Sequence, residues 1–158
     1  MKRAFIIVLW ILAILLPAVA EEPVPYAYRP PAIGESYVPS LAAIMRAVQF
    51  GHIKLAYAGK LGNWGLANYE LGQVQESLTS AARLYQNIPI EKINMVEQPL
   101  QALAVAIKSK DGPRFSRSFA DLTTTCNSCH EAAQVSFITI EIPTSSPFTD
   151  QSFGPKRR

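Results

Sequence analysis

The chain has 158 residues, 49% of them hydrophobic, and a formal net charge of +3. This length is enough for one domain with a hydrophobic core of its own. Two of the positive charges, Lys2 and Arg3, lie in a segment that we expect to be removed, which leaves a formal charge of +1. So small a charge gives no reason to expect a nucleic-acid-binding protein, and we predict none as a partner.

The N-terminus has the features of a secretory signal peptide. Residues 2–3 are basic, residues 4–16 are apolar, and residues 18–20 have small side chains at the A-x-A positions. This pattern predicts that residues 1–20 are cleaved and that residues 21–158 reach the periplasm of a Gram-negative bacterium. The alternative is an uncleaved membrane anchor, but the apolar run is short for a bilayer span. We therefore expect no stable membrane span after cleavage.

Both ends of the exported chain are rich in proline. Residues 21–39 contain five prolines, which predicts an extended leader and not a helix. Residues 143–158 form a similar tail, and its Phe148 and Phe153 are expected to pin it to the body of the domain. The intervening residues 40–142 form the predicted domain.

Two helices are predicted in the first half of this domain. The first begins near Ser40 and ends at Gly59 and Gly62. The second begins with Asn63 as its N-cap and stops before Pro89. Apolar residues of the first helix recur at the spacing of one helical face. This stripe consists of Leu41, Ile44, Met45, Val48, His52 and Leu55.

Two further helices complete the prediction. The third lies between residues 90 and 110, and Pro99 either kinks it or sits in the first turn of its regular part. The fourth opens with Asp111 as N-cap and continues into residues 126–130. The predicted buried face of the third helix consists of Leu100, Leu103, Ala104 and Ile107. Four helices with short connections predict an all-α fold, an antiparallel four-helix bundle.

The run Cys126-Asn127-Ser128-Cys129-His130 holds both cysteines of the chain. C-x-x-C-H is the pattern of covalent attachment of a c-type haem. The two thiols add to the haem vinyl groups, and the adjacent histidine becomes an axial ligand of the iron. We therefore predict one covalent haem c on Cys126 and Cys129, with His130 as the proximal ligand.

Other interpretations of the motif fit less well. A structural zinc site needs about four ligands, whereas Cys126, Cys129 and His130 supply three, and the adjacent pair 129–130 does not easily close a tetrahedron. A thioredoxin-like redox pair is expected in a βαβ setting, which the sequence does not show. A disulfide between the two cysteines would close a strained small loop.

The haem iron has a second axial position, opposite His130, and the first helix offers two candidate ligands for it. Met45 and His52 lie seven residues apart on the same apolar stripe. A methionine on such a stripe is commonly core packing, and a histidine there is commonly a buried, hydrogen-bonded residue. We expect Met45 as the distal ligand and keep His52 as the alternative.

With these residues in view, the chain resembles the class II cytochromes c, which comprise cytochrome c prime and its low-spin relatives. In that family the C-x-x-C-H motif lies near the end of a four-helix bundle, as Cys126, Cys129 and His130 do here. The run Ile44–Val48 is similar to the family's first-helix run, which implies that Met45 faces the iron. The chain departs from the family by continuing for 28 residues past His130, a tail that is expected to cover a haem edge.

Three functions follow as hypotheses. The first is an electron carrier with His130 and Met45 on the iron, which exchanges electrons with redox partner proteins. The second is a five-coordinate module that binds or senses NO or CO, or, with His52 as ligand, a bis-His carrier. The third is an exported helical interaction protein without haem. An enzyme is not expected, since no nucleophile–base pair is visible. Class II relatives are often dimers through their first two helices, which makes a homodimer a further expectation.

Overall fold

The computed structural model describes residues 37–85, 88 and 90–156. The expected signal peptide and almost all of the expected leader lie outside these residues. The chain forms four helices, α1 (Leu41–Lys60), α2 (Trp64–Leu84), α3 (Ile90–Ser109) and α4 (Gly112–Ala132). No strand occurs in the described part of the chain, and the helices pack as expected of a bundle. The predicted all-α class with four helices is confirmed. In the same residues, no helix has the length and apolarity that a membrane crossing requires.

Three helices begin at the residues that the sequence predicts. The side chains of Ser40, Asn63 and Asp111 accept hydrogen bonds from the backbone N–H three residues later, at 3.2, 3.2 and 2.9 Å. Each bond satisfies one of the N–H groups that a helix leaves without a partner in its first turn. The starts of α1, α2 and α4 are therefore fixed by local side-chain chemistry.

Three helices end in the same way, on a residue in the left-handed conformation. These residues are Gly62, Lys110 and Gln134, with φ angles of 72°, 57° and 59°. In each case the N–H of the next residue donates to the carbonyl five positions earlier, at 2.8, 2.9 and 2.9 Å. This is the Schellman arrangement, which favours glycine because an L side chain strains the backbone there. Gly62 ends α1 as predicted, whereas Lys110 and Gln134 bear that strain.

Gly59, which was also predicted to end the first helix, lies inside α1 and has a different role. It is buried, and a Cβ atom built on it would lie 2.7 Å from Cδ1 of Phe115 and closer still to two other ring atoms. The glycine therefore lets the Phe115 ring of α4 lie directly on the backbone of α1. The prediction that Gly59 ends the helix was wrong, and it was made because glycine so often terminates helices.

The buried side chains of all four helices form one main core. Its members are Val48, Leu55, Ala58, Ala67, Leu71, Val74, Val96, Leu100, Leu103, Ala106, Ile107, Phe115, Phe119 and Leu122. The predicted face of α3 was correct except at Ala104, which is exposed while Ala106 is buried. The buried stripe of α3 advances in steps of three from Leu100 to Leu103 to Ala106, so the position after Leu103 falls outside it. Pro99 lies in the interior of α3 and is buried.

The C-terminal tail lies on α1, as expected. The Phe153 side chain is buried, with its ring centroid 5.5 Å from that of Tyr57. The Phe148 ring meets the Phe50 ring edge-on at 5.8 Å. Two aromatic contacts thus attach the tail to the outer surface of α1.

Candidate functional site

The haem motif forms the end of α4. The helix continues without a break through residues 126–130, as predicted, and ends at Ala132. Cys126, Cys129 and His130 are all half-buried. Because residues three and four positions apart share a helical face, the two sulfurs and the imidazole lie on one side of α4. This is the arrangement that a single porphyrin edge and its iron require.

The thiol of Cys126 is protonated at neutral pH. It is free and packs against the main core. Burial raises its pKa to about 11, and the neighbouring Cys129 adds to the increase, while a hydrogen bond to its own backbone opposes it. Among residues 37–85, 88 and 90–156, no three His, Cys, Asp or Glu side chains come together as a metal cluster.

The imidazole of His130 has a fixed orientation. Its Nδ1 atom lies 2.8 Å from the backbone carbonyl of Ile138, in the segment that follows α4. A carbonyl only accepts hydrogen bonds, so Nδ1 must carry the proton and donate it. In the neutral ring Nε2 then bears the lone pair, which is the tautomer that a metal ion requires. No local sequence pattern indicates this partner.

Asn127, which lies between the two cysteines, holds the same segment. Its Nδ2 donates to the carbonyl of Ile140 at 2.9 Å, and its Oδ1 accepts from the N–H of Ile140 at 2.8 Å. One side chain thus satisfies both backbone groups of one residue, as a neighbouring β-strand would. The sequence alone assigns no role to Asn127, since the partner lies 13 residues further along the chain.

His52 is buried between α1 and α4. Its Nε2 lies 2.9 Å from Oγ1 of Thr123, whose hydroxyl donates to the carbonyl of Phe119 at 2.9 Å. Since the only hydroxyl proton is used in that way, Thr123 accepts and His52 Nε2 carries the proton. The ring also lies 4.4 Å from the Phe119 ring, and burial lowers the pKa of His52 to about 4. At neutral pH His52 is therefore an uncharged residue whose Nε2 is already engaged.

Met45 is half-buried and packs against the main core and against a second buried cluster, which consists of Leu41, Ile44 and Ala81. Two contacts, Gly59 with Phe115 and His52 with Thr123, show that α1 and α4 run antiparallel and set their register. Moving seven residues back along α1 and seven forward along α4 covers the same distance, about 10 Å, in the same direction. These steps lead from His52 to Met45 and from Thr123 to His130. From this register we infer that Met45 and His130 lie at about the same level of the bundle.

A cavity of about 240 Å³ lies beside His52, between α1 and the segment that follows α4. Its walls consist of Gln49, His52, Ile53, Thr139, Ile140, Glu141 and Pro143. Sites that enclose small molecules have volumes from about 300 Å³ upward, so this cavity is too small for a porphyrin. Attachment to residues 126–130, and not this cavity, would decide where a haem lies.

Comparisons of the chain with protein families, with curated proteins and with solved structures find no match. The resemblance to class II cytochromes c therefore stays a prediction. The residues of the site itself fit a c-type haem, because two thiols one turn apart adjoin an imidazole whose Nδ1 proton is already engaged.

Proposed function

We propose that the chain is an exported monohaem c-type cytochrome that transfers electrons in the periplasm. Cys126 and Cys129 would hold haem c, His130 would be the proximal ligand, and Met45 the distal ligand. When bound, the haem iron supplies one-electron redox chemistry, and a thioether ligand raises its reduction potential. The observation that carries the proposal is the hydrogen bond from His130 Nδ1 to Ile138, which leaves Nε2 for iron one residue after the second cysteine.

The choice of Met45 over His52 rests on two further observations. Met45 shares a level of the bundle with His130, whereas His52 lies seven residues further along α1. In addition, His52 Nε2 would have to lose its hydrogen bond to Thr123 before it could bind a metal. A thioether at Met45 needs no such change, which favours Met45 over ligation by His52 Nε2.

If the chain transfers electrons, its expected partners are other redox proteins. A six-coordinate iron changes little in geometry on reduction, so the chain would act by brief contact with redox proteins through a small interface. A homodimer is proposed by analogy with the class II cytochromes.

The proposal is tested by visible spectroscopy of the full chain, produced in a bacterial host that attaches haem c. Haem that stays with the polypeptide under denaturing conditions would establish covalent attachment. We expect a low-spin spectrum, in both oxidation states, that CO does not alter. Met45→Ala should give a high-spin oxidised protein that binds CO when reduced, because the sixth ligand is lost.

Met95→Ala is the matched control. Met95 lies on α3, is 48% exposed, and should be replaceable without any spectral change. If Met45→Ala leaves the spectrum low-spin and His52→Gln makes it high-spin, the chain is a bis-His carrier. A wild-type protein that is high-spin and binds CO would point to a gas-binding module. A chain that takes up no haem in a competent host would refute the proposal.

A further inference from the structure

We propose that Asn127 is a positioning residue for the haem ligand His130. It holds residues 138–140 against the end of α4, so that the Ile138 carbonyl fixes the imidazole with Nε2 directed to iron. The inference rests on the proposed function, and it assigns to a residue inside the motif a task that the motif itself does not require.

Asn127 attaches the segment of residues 138–140 firmly to α4. Asn127 makes two hydrogen bonds to one residue, at 2.8 and 2.9 Å, and both ends of its amide are used. A pair of bonds to the N–H and C=O of Ile140 fixes that residue in position and in orientation, which a single bond would not do. Ile138, which bears the carbonyl for His130, lies two residues before it.

The second step is that apolar burial contributes little to holding this segment. Phe137 is 79% exposed and Ile138 47% exposed, and Thr139 is exposed as well. Ile140 is only half-buried. The remaining backbone bond, from the Ile138 N–H to Val135 at 2.9 Å, shapes a turn but does not reach α4. Apart from the His130 bond itself, the hydrogen bonds that join residues 138–140 to α4 come from Asn127.

The third step connects the anchor to the metal ligand. The outer nitrogen of a metal-bound histidine is usually hydrogen-bonded, which fixes the ring and its tautomer, and loss of such a partner typically costs about 10- to 100-fold in affinity or activity. Here that partner is a backbone carbonyl, which no substitution can remove directly. Its position depends on Asn127, so a side-chain substitution at residue 127 should release it.

The test is the exchange of the Nδ1 proton of His130 with solvent, followed by NMR in the haem-loaded full chain. Asn127→Leu keeps the approximate size of the side chain but removes both hydrogen bonds. We expect this proton to exchange about tenfold faster or more in the variant, because the carbonyl acceptor is no longer held in place. Ser128→Ala is the matched control, since the Ser128 hydroxyl donates only to Thr124 within α4. It should leave the exchange rate unchanged.

The exchange of the Leu122 backbone amide, in the buried part of α4, serves as the reference for overall stability. Faster exchange at His130 alone supports a positioning role, whereas equal acceleration at both sites shows only global destabilisation and overturns it. Should the leucine variant fail to mature, Asn127→Asp keeps the acceptor for the Ile140 N–H, loses the donor to the Ile140 carbonyl, and is expected to give a smaller acceleration. A wild-type chain without covalent haem defeats the proposed function. Unchanged exchange in a haem-loaded Asn127 variant defeats only the present inference.

Discussion

Replacement of Gly59 by alanine tests the closest contact between α1 and α4. A methyl group there would overlap the Phe115 ring. That ring has little freedom to move, since it is 4% exposed, stacks on Phe119 with centroids 6.0 Å apart, and meets Trp64 edge-on at 6.0 Å. Overpacking of a rigid core costs about 1–3 kcal/mol. Alanine favours a helix by at most about 1 kcal/mol over glycine, and by less in the last turn, where Gly59 lies. We expect a net loss of about 1–2 kcal/mol.

Gly72→Ala is the internal comparison for this prediction. Gly72 lies in the interior of α2 and is exposed, and a Cβ atom there would meet nothing within 4 Å. The same substitution should therefore stabilise the chain by about 0.5–1 kcal/mol. The free energy of unfolding of both variants is measured by urea titration, followed by circular dichroism.

The two substitutions should thus change the free energy of unfolding in opposite directions. Phe115→Leu, which removes the ring, should also suppress most of the additional cost of Gly59→Ala, so the double variant should be non-additive. If Gly59→Ala is as stable as the wild type, the close approach of Phe115 to the α1 backbone is not a constraint and the reasoning fails.

Two further predictions concern stability. Burial raises the pKa of Glu70 above its ordinary value of 4.5, although Lys54 opposes the shift, so the native chain holds this proton more tightly than the unfolded chain does. The charged carboxylate therefore costs stability at neutral pH, and this cost disappears as the pH falls through the raised pKa and below 4.5. Glu70→Gln should be more stable than the wild type at pH 7, and this difference in stability should shrink toward pH 4. A difference that grows on acidification would show that the pKa of Glu70 is not raised. Lys110→Gly should raise the free energy of unfolding by about 0.5–1 kcal/mol, because glycine relieves the left-handed strain at the end of α3. Lys108→Gly, inside the last turn, should lower it by up to about 1 kcal/mol, and thermal unfolding of the two variants that gave the same sign would refute this reasoning.

Several features of the fold were predictable from short stretches of sequence. Ser40, Asn63 and Asp111 cap helices because their side chains reach a backbone N–H three residues away. The apolar stripe of α1 follows from helical spacing alone. The haem motif is also local, since its ligand-bearing residues share one turn of α4.

The tertiary structure decided the features that depend on how helices are aligned. The role of Gly59 depends on where Phe115 arrives, and Ala104 differs from Ala106 only through the rotation of α3 in the bundle. His52 finds its partner Thr123 across 71 residues of sequence.

The anchoring of His130 is also a feature that only the tertiary structure decides. Its acceptor at Ile138, and the Asn127 side chain that holds that segment, meet only because the chain turns back after Gln134. A helix cap depends on four consecutive residues, so a short stretch of sequence is enough to predict it. A contact between segments depends on the register and rotation of whole helices, which arise from the packing of the entire core and cannot be obtained from any single stretch.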